Sequence, residues 1–482
     1  MGQTLSGKLA MRAATVSLKP RRFVRSVFAI VAGLTVAVGV AAADPGDRPA
    51  PDRPNVVVIL VDDLGVGDCG FSGCSDVPTP WLDRFASEGT ICSNAYVTPS
   101  CSPTRAAILT GRYPGRFGIE DNRPLDGPTA GMDLREVLLP QLLRDHGYTT
   151  ALFGKWHLGR GPYGPRARGF DQFSGWIGAA GKYIDPPFLH DDSAKPEPTV
   201  GWVDDIVSDR ASEYIADHAG RPFFLKVAFM AAHLEQEAQP DDLARFAHLS
   251  PRRQMAAAII SRLDLAVGRL LDSVRAAGLE QKTLVFLLSD NGGEPPVLGT
   301  SNGPHRGQKF DVLEGGIRVP FAIRWPGVVP AGQTFAPIVH GIDVFATAAA
   351  AAGVVPPNEI DGVDLIPYLR GTKPGVPHER LFWVYNDHAD WRRTDQDTNL
   401  ARRLLAVREG TWKLILEGDT PPQLYDLATD PGESCDLARE QPVRVATLTR
   451  AVGDWNARMV RQVIPPDHPL YGRDRRRLSP AH

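Results

Sequence analysis

The chain has 482 residues, 43% of them hydrophobic and 23% charged, enough for one large buried core with a smaller unit beside it. That balance excludes a largely disordered protein. A formal net charge of -3 and the lack of any long basic run beyond residue 43 exclude the footprint of a nucleic-acid binder, so an anionic substrate must be met by local charge.

Residues 1–43 read as an export signal. Lys19, Arg21, Arg22 and Arg25 precede an apolar run from Val27 to Val40, and Ala41-Ala42-Ala43 before Asp44 suits a signal peptidase. The run is short for a membrane span, so a periplasmic or secreted protein with no stable membrane insertion after signal removal is expected. Residues 44–53, crowded with Pro and Gly, read as a linker.

Asn55 to Val61 is a continuous apolar run, the mark of a strand buried on both faces. The pattern returns at Thr149 to Phe153, Phe223 to Phe229 and Thr283 to Leu288. Between them, Leu134 to His146 and Ala256 to Ala277 carry apolar residues at helical spacing and end near Gly147 and Gly278. This alternation predicts an α/β domain over 54–375, a large, mostly parallel sheet flanked by helices. From 376 to 482 the runs shorten, at Leu381 to Tyr385, Leu404 to Arg408, Trp412 to Leu416 and Gln423 to Leu427, before a helical stretch from Val443 to Val460. A small C-terminal α+β domain with an antiparallel sheet is expected there. Arg392, Arg393, Arg402 and Arg403 flank the polar stretch Thr394 to Asn399, and most charges of this kind face water.

Polar residues follow the four long runs. Asp62-Asp63, Lys155-Trp156-His157, His233 and Asp290-Asn291 each come just after one, and ligands of open α/β sheets bind beyond the carboxyl ends of strands. Taken alone, each pair is as readily a turn or a cap, and a single lysine or histidine is usually solvated or structural. Asp62-Asp63 and Asp290-Asn291 together offer oxygen ligands only, the preference of a hard cation, and rigid strand ends suit calcium better than a water-rich magnesium site.

Five cysteines, Cys69, Cys74, Cys92, Cys101 and Cys435, are an odd number for an oxidising compartment. Cys69 and Cys74 are near enough in sequence to pair, although spacing leaves the connectivity open, and no zinc pattern surrounds them. Cys101 opens Cys101-Ser102-Pro103-Thr104-Arg105. Pro103 suits a first helical turn, Ser102 can cap it, and Ala106 to Leu109 continues it, which puts residue 101 at a positive helix end. That place favours a sulfate ester and a phosphate ester equally.

The Cys101 to Arg105 segment resembles the sulfatase signature. Pro54 to Gly65, Gly154-Lys155-Trp156-His157-Leu158-Gly159, Leu288 to Gly293, Arg306 to Lys309 with Glu314-Gly315-Gly316-Ile317-Arg318-Val319-Pro320, and Leu424 to Leu427 with Asp430-Pro431-Gly432-Glu433 resemble further motifs of that family, in the family's order. The resemblance is to formylglycine-dependent, arylsulfatase-like enzymes of the alkaline phosphatase superfamily.

It implies a sulfuric ester hydrolase in which a maturing enzyme, formylglycine-generating or equivalent, oxidises Cys101 to formylglycine. The hydrate of that aldehyde attacks sulfur, and its second hydroxyl later expels sulfate. Asp62, Asp63, Asp290 and Asn291 would hold calcium with residue 101 beside it. Arg105 and Lys155 would position hydrate and sulfate, His157 would assist the hydrate, and His233 and Lys309 would bind sulfate oxygens or protonate the departing alcohol. His233 lacks the Pro-His-x-Pro surroundings common in the family, and His305 is a further candidate for substrate contact. Sulfated carbohydrate, such as a sulfated polysaccharide, is the expected substrate class. The alternatives are a phosphate or phosphonate ester hydrolase of the same superfamily and a noncatalytic glycan-binding homologue.

Overall fold

The computed structural model describes residues 53–122, 131–191, 193, 195–357, 359–387 and 402–460. The export signal, nearly all of the linker, Arg392, Arg393 and the stretch from Thr394 to Asn399 lie outside the described residues, as does the side chain of Arg402.

Five strands form the centre of a ten-stranded sheet: β1 (Asn55–Val61), β2 (Thr149–Lys155), β3 (Phe223–Ala228), β4 (Thr283–Ser289) and β5 (Phe321–Arg324). β1 lies between β4 and β3 and runs parallel to both, β2 continues parallel on the far side of β3, and β5 is antiparallel to β4. All seven residues of β1 are buried, as its unbroken apolar run predicts.

Alternate side chains of β1 enter two cores. Val57, Ile59 and Val61 pack with Val207 and Ala211 of α3 (Val203–Asp217) and Ile259 and Leu263 of α4 (Pro251–Ala276). Val56, Val58 and Leu60 pack with Ile108 and Leu109 of α1 (Cys101–Thr110) and Leu142 and Leu143 of α2 (Leu139–Arg144). Each such side chain contributes roughly 2 kcal/mol through burial. The register pairs Leu60 with Ala228 and with Leu288, and Gly154 with Ala228. Four strands therefore end at one level, and the residues after them share one rim.

Helix boundaries depart from expectation. The stretch 134–146 is helical only over Leu139–Arg144, because Leu138 is extended and Pro140 starts the helix in its first turn. α4 begins earlier than Ala256, at Pro251 after Ser250. α1 starts at Cys101 itself, so Ser100 is the cap residue and Ser102 sits inside the first turn.

The C-terminal sheet has β6 (Arg380–Asp387), β7 (Arg402–Glu409), β8 (Trp412–Glu417) and β9 (Gln423–Asp426), all antiparallel, with α5 (Pro442–Asn456) after them. Leu448 and Val452 of α5 pack on Val407, Leu414 and Leu424 on one face of it, while Ile415 and Tyr425 of the other face meet Tyr96 and Ile317. Both sheets belong to one compact unit. Among the described residues no helix is long and apolar enough to cross a membrane. The suggested Cys69–Cys74 pairing is not made: both thiols are free, with Cys69 buried and Cys74 Sγ donating to Asp76 Oδ1 at 3.1 Å.

Candidate active site

Asp62 and Asp63 leave the end of β1 fully buried, with Asp63 in the left-handed region at φ 60°. Backbone bonds weave the neighbouring strand ends to them: Asp62 N–H donates to Ala231 O at 3.0 Å, and Asp290 N–H to Val61 O at 2.9 Å. Cys101, the first residue of α1, brings its Sγ to 3.5 Å from Asp62 Oδ1. Ser102 Oγ donates to His157 O at 2.9 Å, and Ser102 N–H donates to Asn122 Oδ1 at 3.0 Å, so the start of the helix is tied to two flanking loops.

Three cations enter this acidic group. Arg105, without exposed surface, spends Nε and Nη2 on Asp290 Oδ2 at 3.1 and 2.7 Å and Nη1 on Lys155 O at 3.1 Å. Lys155 Nζ lies 2.5 Å from Asp62 Oδ2, and Lys309 Nζ lies 2.8 Å from each Asp63 oxygen. His233 closes the ring with Nε2 3.9 Å from Asp63 Oδ2, while its Nδ1 meets Leu234 O at 2.8 Å. A nitrogen bonded to a carbonyl carries the ring proton, which leaves Nε2 facing the acids. His157 is buried next to this group, with its backbone N–H on Ile177 O at 3.0 Å. His305 does not join the others; its Nδ1 meets Pro431 O at 3.1 Å.

The charges shape one another. Burial alone would raise Asp62, but Lys155, with His233, Arg105 and Lys309, outweighs it and holds that carboxylate well below its usual range. Asp290 goes the other way, up to about 6, because burial and the charge of Asp62 prevail over Arg105. Burial, with Lys309 and Lys155 adding to it, holds His233 down at about 4. Burial also pushes the Cys101 thiol up, which makes it a poor thiolate.

A cation fits these residues. One oxygen each from Asp62 and Asp63, the Cys101 sulfur and a His233 nitrogen all lie within 4.8 Å of one another. Asn291 gives its Nδ2 to Asp63 Oδ1 at 2.6 Å, and its buried Oδ1 has no hydrogen-bond partner among the described residues. An orphaned carbonyl oxygen beside three carboxylates is what a hard, oxygen-seeking ion would satisfy. Sulfur is the one soft donor in the set, and its replacement by oxygen would complete the match. The cluster is consistent with a calcium and formylglycine centre.

The supports beneath His233 were not legible in the sequence. Tyr183 OH donates to His233 O at 2.9 Å, and Asp204 Oδ1 accepts Met230 N–H at 2.9 Å. Burial, above all, raises Asp204 to about 7, and its Oδ2 has no hydrogen-bond partner among the described residues. A carboxyl raised in the fold contributes stability that is complete below its ordinary value near 4 and is lost as pH climbs through 7. Asp204→Asn is therefore expected to flatten the fall in Tm between about pH 5 and pH 8. Scanning calorimetry at both ends would measure it, and an unchanged slope would reject the assignment. Lys226, a lysine within the apolar run of β3, is likewise buried without a hydrogen-bond partner among the described residues, and burial depresses it strongly.

The C-terminal sheet reaches the flank of the site. Glu120, two residues before Asn122, accepts Asn386 Nδ2 at 2.6 Å and pairs with Arg403, so this arginine does not simply face water.

Comparison with known proteins agrees with this geometry. A family model described as Sulfatase matches residues 54–354, and one described as N-sulphoglucosamine sulphohydrolase, C-terminal, matches 308–451. Steryl-sulfatase of Mus musculus is 31% identical over 553 residues, covering 92% of this chain and 88% of the relative. N-acetylgalactosamine-6-sulfatase of Rattus norvegicus is 35% identical over 443 residues, covering 80% and 82%. Among solved structures, Ps i-CgsB in complex with k-i-k-neocarrahexaose superposes with a TM-score of 0.80 at 28% identity, covering 88% of this chain and 97% of that one. With most of its length matched and its strand ends gathered around Cys101, the chain belongs to the formylglycine-dependent sulfatase family of the alkaline phosphatase-like superfamily, and it is a sulfuric ester hydrolase.

Proposed function

We propose that the chain hydrolyses sulfate esters of carbohydrate, with residue 101 as the matured nucleophile and Asp62, Asp63, Asp290 and Asn291 as calcium ligands. The observation that carries this reading is the convergence of Cys101, three buried carboxylates and three buried cations at one sheet rim. When present, the formylglycine hydrate supplies a nucleophilic oxygen and calcium supplies positive charge against the sulfuryl oxygens.

The chain's own residues supply the rest. Lys155 and Lys309 approach from the Asp62 and Asp63 sides and orient the anionic sulfate. Arg105 has all three nitrogens engaged, so it acts by holding Asp290 and the Lys155 backbone in place. His157, beside the helix start, assists the nucleophile. His233 presents Nε2 to hold a proton for the leaving oxygen, and negative charge developing there would oppose the burial and lysine effects that now depress it.

Carbohydrate is supported by the rat N-acetylgalactosamine-6-sulfatase and by the neocarrahexaose complex of Ps i-CgsB. Export to the periplasm or medium is supported by the composition of residues 1–43, and a maturing enzyme is the partner that conversion of Cys101 requires. The test is a panel of sulfated oligosaccharides, aryl sulfates and matched phosphate esters, each followed for release of the inorganic anion. Sulfate release from saccharides is expected, at least about 100-fold more efficient than cleavage of the matched phosphates. Consumption of aryl sulfates alone would overturn the carbohydrate assignment, and preference for phosphate would favour the phosphohydrolase alternative.

A further inference from the structure

Two stretches singled out in the sequence take no part in this chemistry, Glu314-Gly315-Gly316 and Asp430 to Glu433. They meet at a buried charge cluster. Glu314, Glu433 and Lys413 of β8 all have 0% exposure. Lys413 Nζ lies 3.0 Å from Glu314 Oε1 and 2.9 Å from Glu433 Oε1. Glu314 N–H donates to Glu433 Oε2 at 2.7 Å, and Tyr96 OH donates to Glu314 Oε2 at 2.7 Å. Arg318 and Arg408 approach that same Glu314 oxygen at 3.4 and 3.8 Å. Glu433 holds a left-handed φ of 52°, a conformation that costs a non-glycine residue about 1 kcal/mol and persists where its surroundings demand it.

From Glu314 the route to the site is short and made of backbone. Gly316 O accepts the N–H of Gly292, the residue after Asn291, at 3.0 Å. Gly315 N–H donates to Arg306 O at 2.7 Å, and Lys309 N–H donates to Gly293 O at 3.1 Å. No side chain fits between these segments: a Cβ on Gly292 would stand 1.8 Å from Gly315 O, and one on Gly315 would stand 2.3 Å from Gly307 O. The segments bearing Asn291, Lys309 and Glu314 are thus stacked main chain on main chain, and a shift of one moves the others.

We propose that Lys413 and Glu433 are positioning residues through which the C-terminal sheet sets Asn291 and Lys309, so that calcium affinity depends on an ion cluster outside the site. The inference rests on the calcium reading given above. Replacing a buried ion cluster by neutral groups need not destabilise a protein, whereas removing one partner leaves a bare charge. The informative variant is therefore the double change Lys413→Met with Glu433→Gln, which removes one charge of each sign, leaves Glu314 its Tyr96, Arg318 and Arg408 neighbours, and keeps a glutamine oxygen to accept Glu314 N–H.

In the full chain, calcium titrated calorimetrically after chelation should bind the double variant about tenfold more weakly, the scale seen when groups that orient metal ligands are changed. Hydrogen exchange over residues 291–316 should rise with it. Leu448→Ala is the control, because Leu448 packs on the opposite face of the same sheet. It should lower Tm while leaving calcium affinity and exchange over 291–316 unchanged. Unaltered affinity and exchange in the double variant would overturn the proposal, as would equal losses in the control. If the unaltered chain bound no calcium, the metal reading would fail, and hydrogen exchange would still decide whether the coupling exists.

Discussion

Cys101→Ala is expected to lower sulfate-ester turnover by about 10⁴-fold or more while leaving the fold intact. The fold should survive because the side chain is small and its hydrogen-bonding contact among the described residues is the long, 3.5 Å approach to Asp62 Oδ1. Loss of one buried sulfur at a helix start costs about 1 kcal/mol, small against the stability of a domain. Activity should not survive, because alanine carries no sulfur to be oxidised to the aldehyde whose hydrate is the proposed nucleophile. The unmodified thiol is itself ill suited to attack on sulfur, since burial raises it and nearby Asp290 and Asp62 add to the effect despite Lys155 and Lys309. Conversion to an oxygen nucleophile removes that obstacle. Steady-state kinetics and thermal melts of the variant check the two halves, and mass spectrometry of the peptide spanning residue 101 should show a loss of about 18 Da relative to cysteine in the matured protein. Undiminished turnover in the alanine variant would remove Cys101 from the mechanism.

Asp290→Ala should weaken calcium binding by at least about 100-fold and lower stability by about 3–5 kcal/mol. The two effects come from different oxygens. Oδ1 accepts Asp63 N–H at 3.3 Å on the side of the proposed ligands, while Oδ2 holds both Nε and Nη2 of Arg105. Without the carboxylate, Arg105 keeps Lys155 O and a 3.4 Å approach to Asp62, too little for a fully buried guanidinium. Adding Arg105→Met should recover much of the lost stability without recovering calcium affinity. Calorimetric titration and melts of the single and double variants separate the roles. A single variant that binds calcium normally would exclude Asp290 as a ligand.

The strands were readable because their evidence is local. A strand such as Asn55–Val61, apolar from Val56 onward, can be satisfied only where both faces are covered, and the parallel sheet covers them. Asp62, Asp63, Cys101, Lys155, Asp290, Asn291 and Lys309 were likewise marked by motifs and His233 by its place after a buried run, and the structure brings them together. The helix expected over 134–146 failed for a local reason too, since periodicity took no account of where Pro140 sets the start. The partner of His305, the carbonyl of Pro431 in the C-terminal segment, lies 126 residues along the chain and was not readable from its neighbours.

What the sequence determined by itself was chemical identity: which side chains are acids, bases and the oxidisable thiol, and that each of four buried strands ends in some of them. What only the tertiary structure decided was partnership. Arg105 is committed to Asp290, 185 residues away, and Lys413 to Glu314, 99 residues away. Nothing local singles out Tyr183, Asp204 or Lys226 as supports or buried neighbours of the site. Their roles follow from desolvation, which makes a buried charge or hydroxyl depend on whichever partner the packing of distant segments provides.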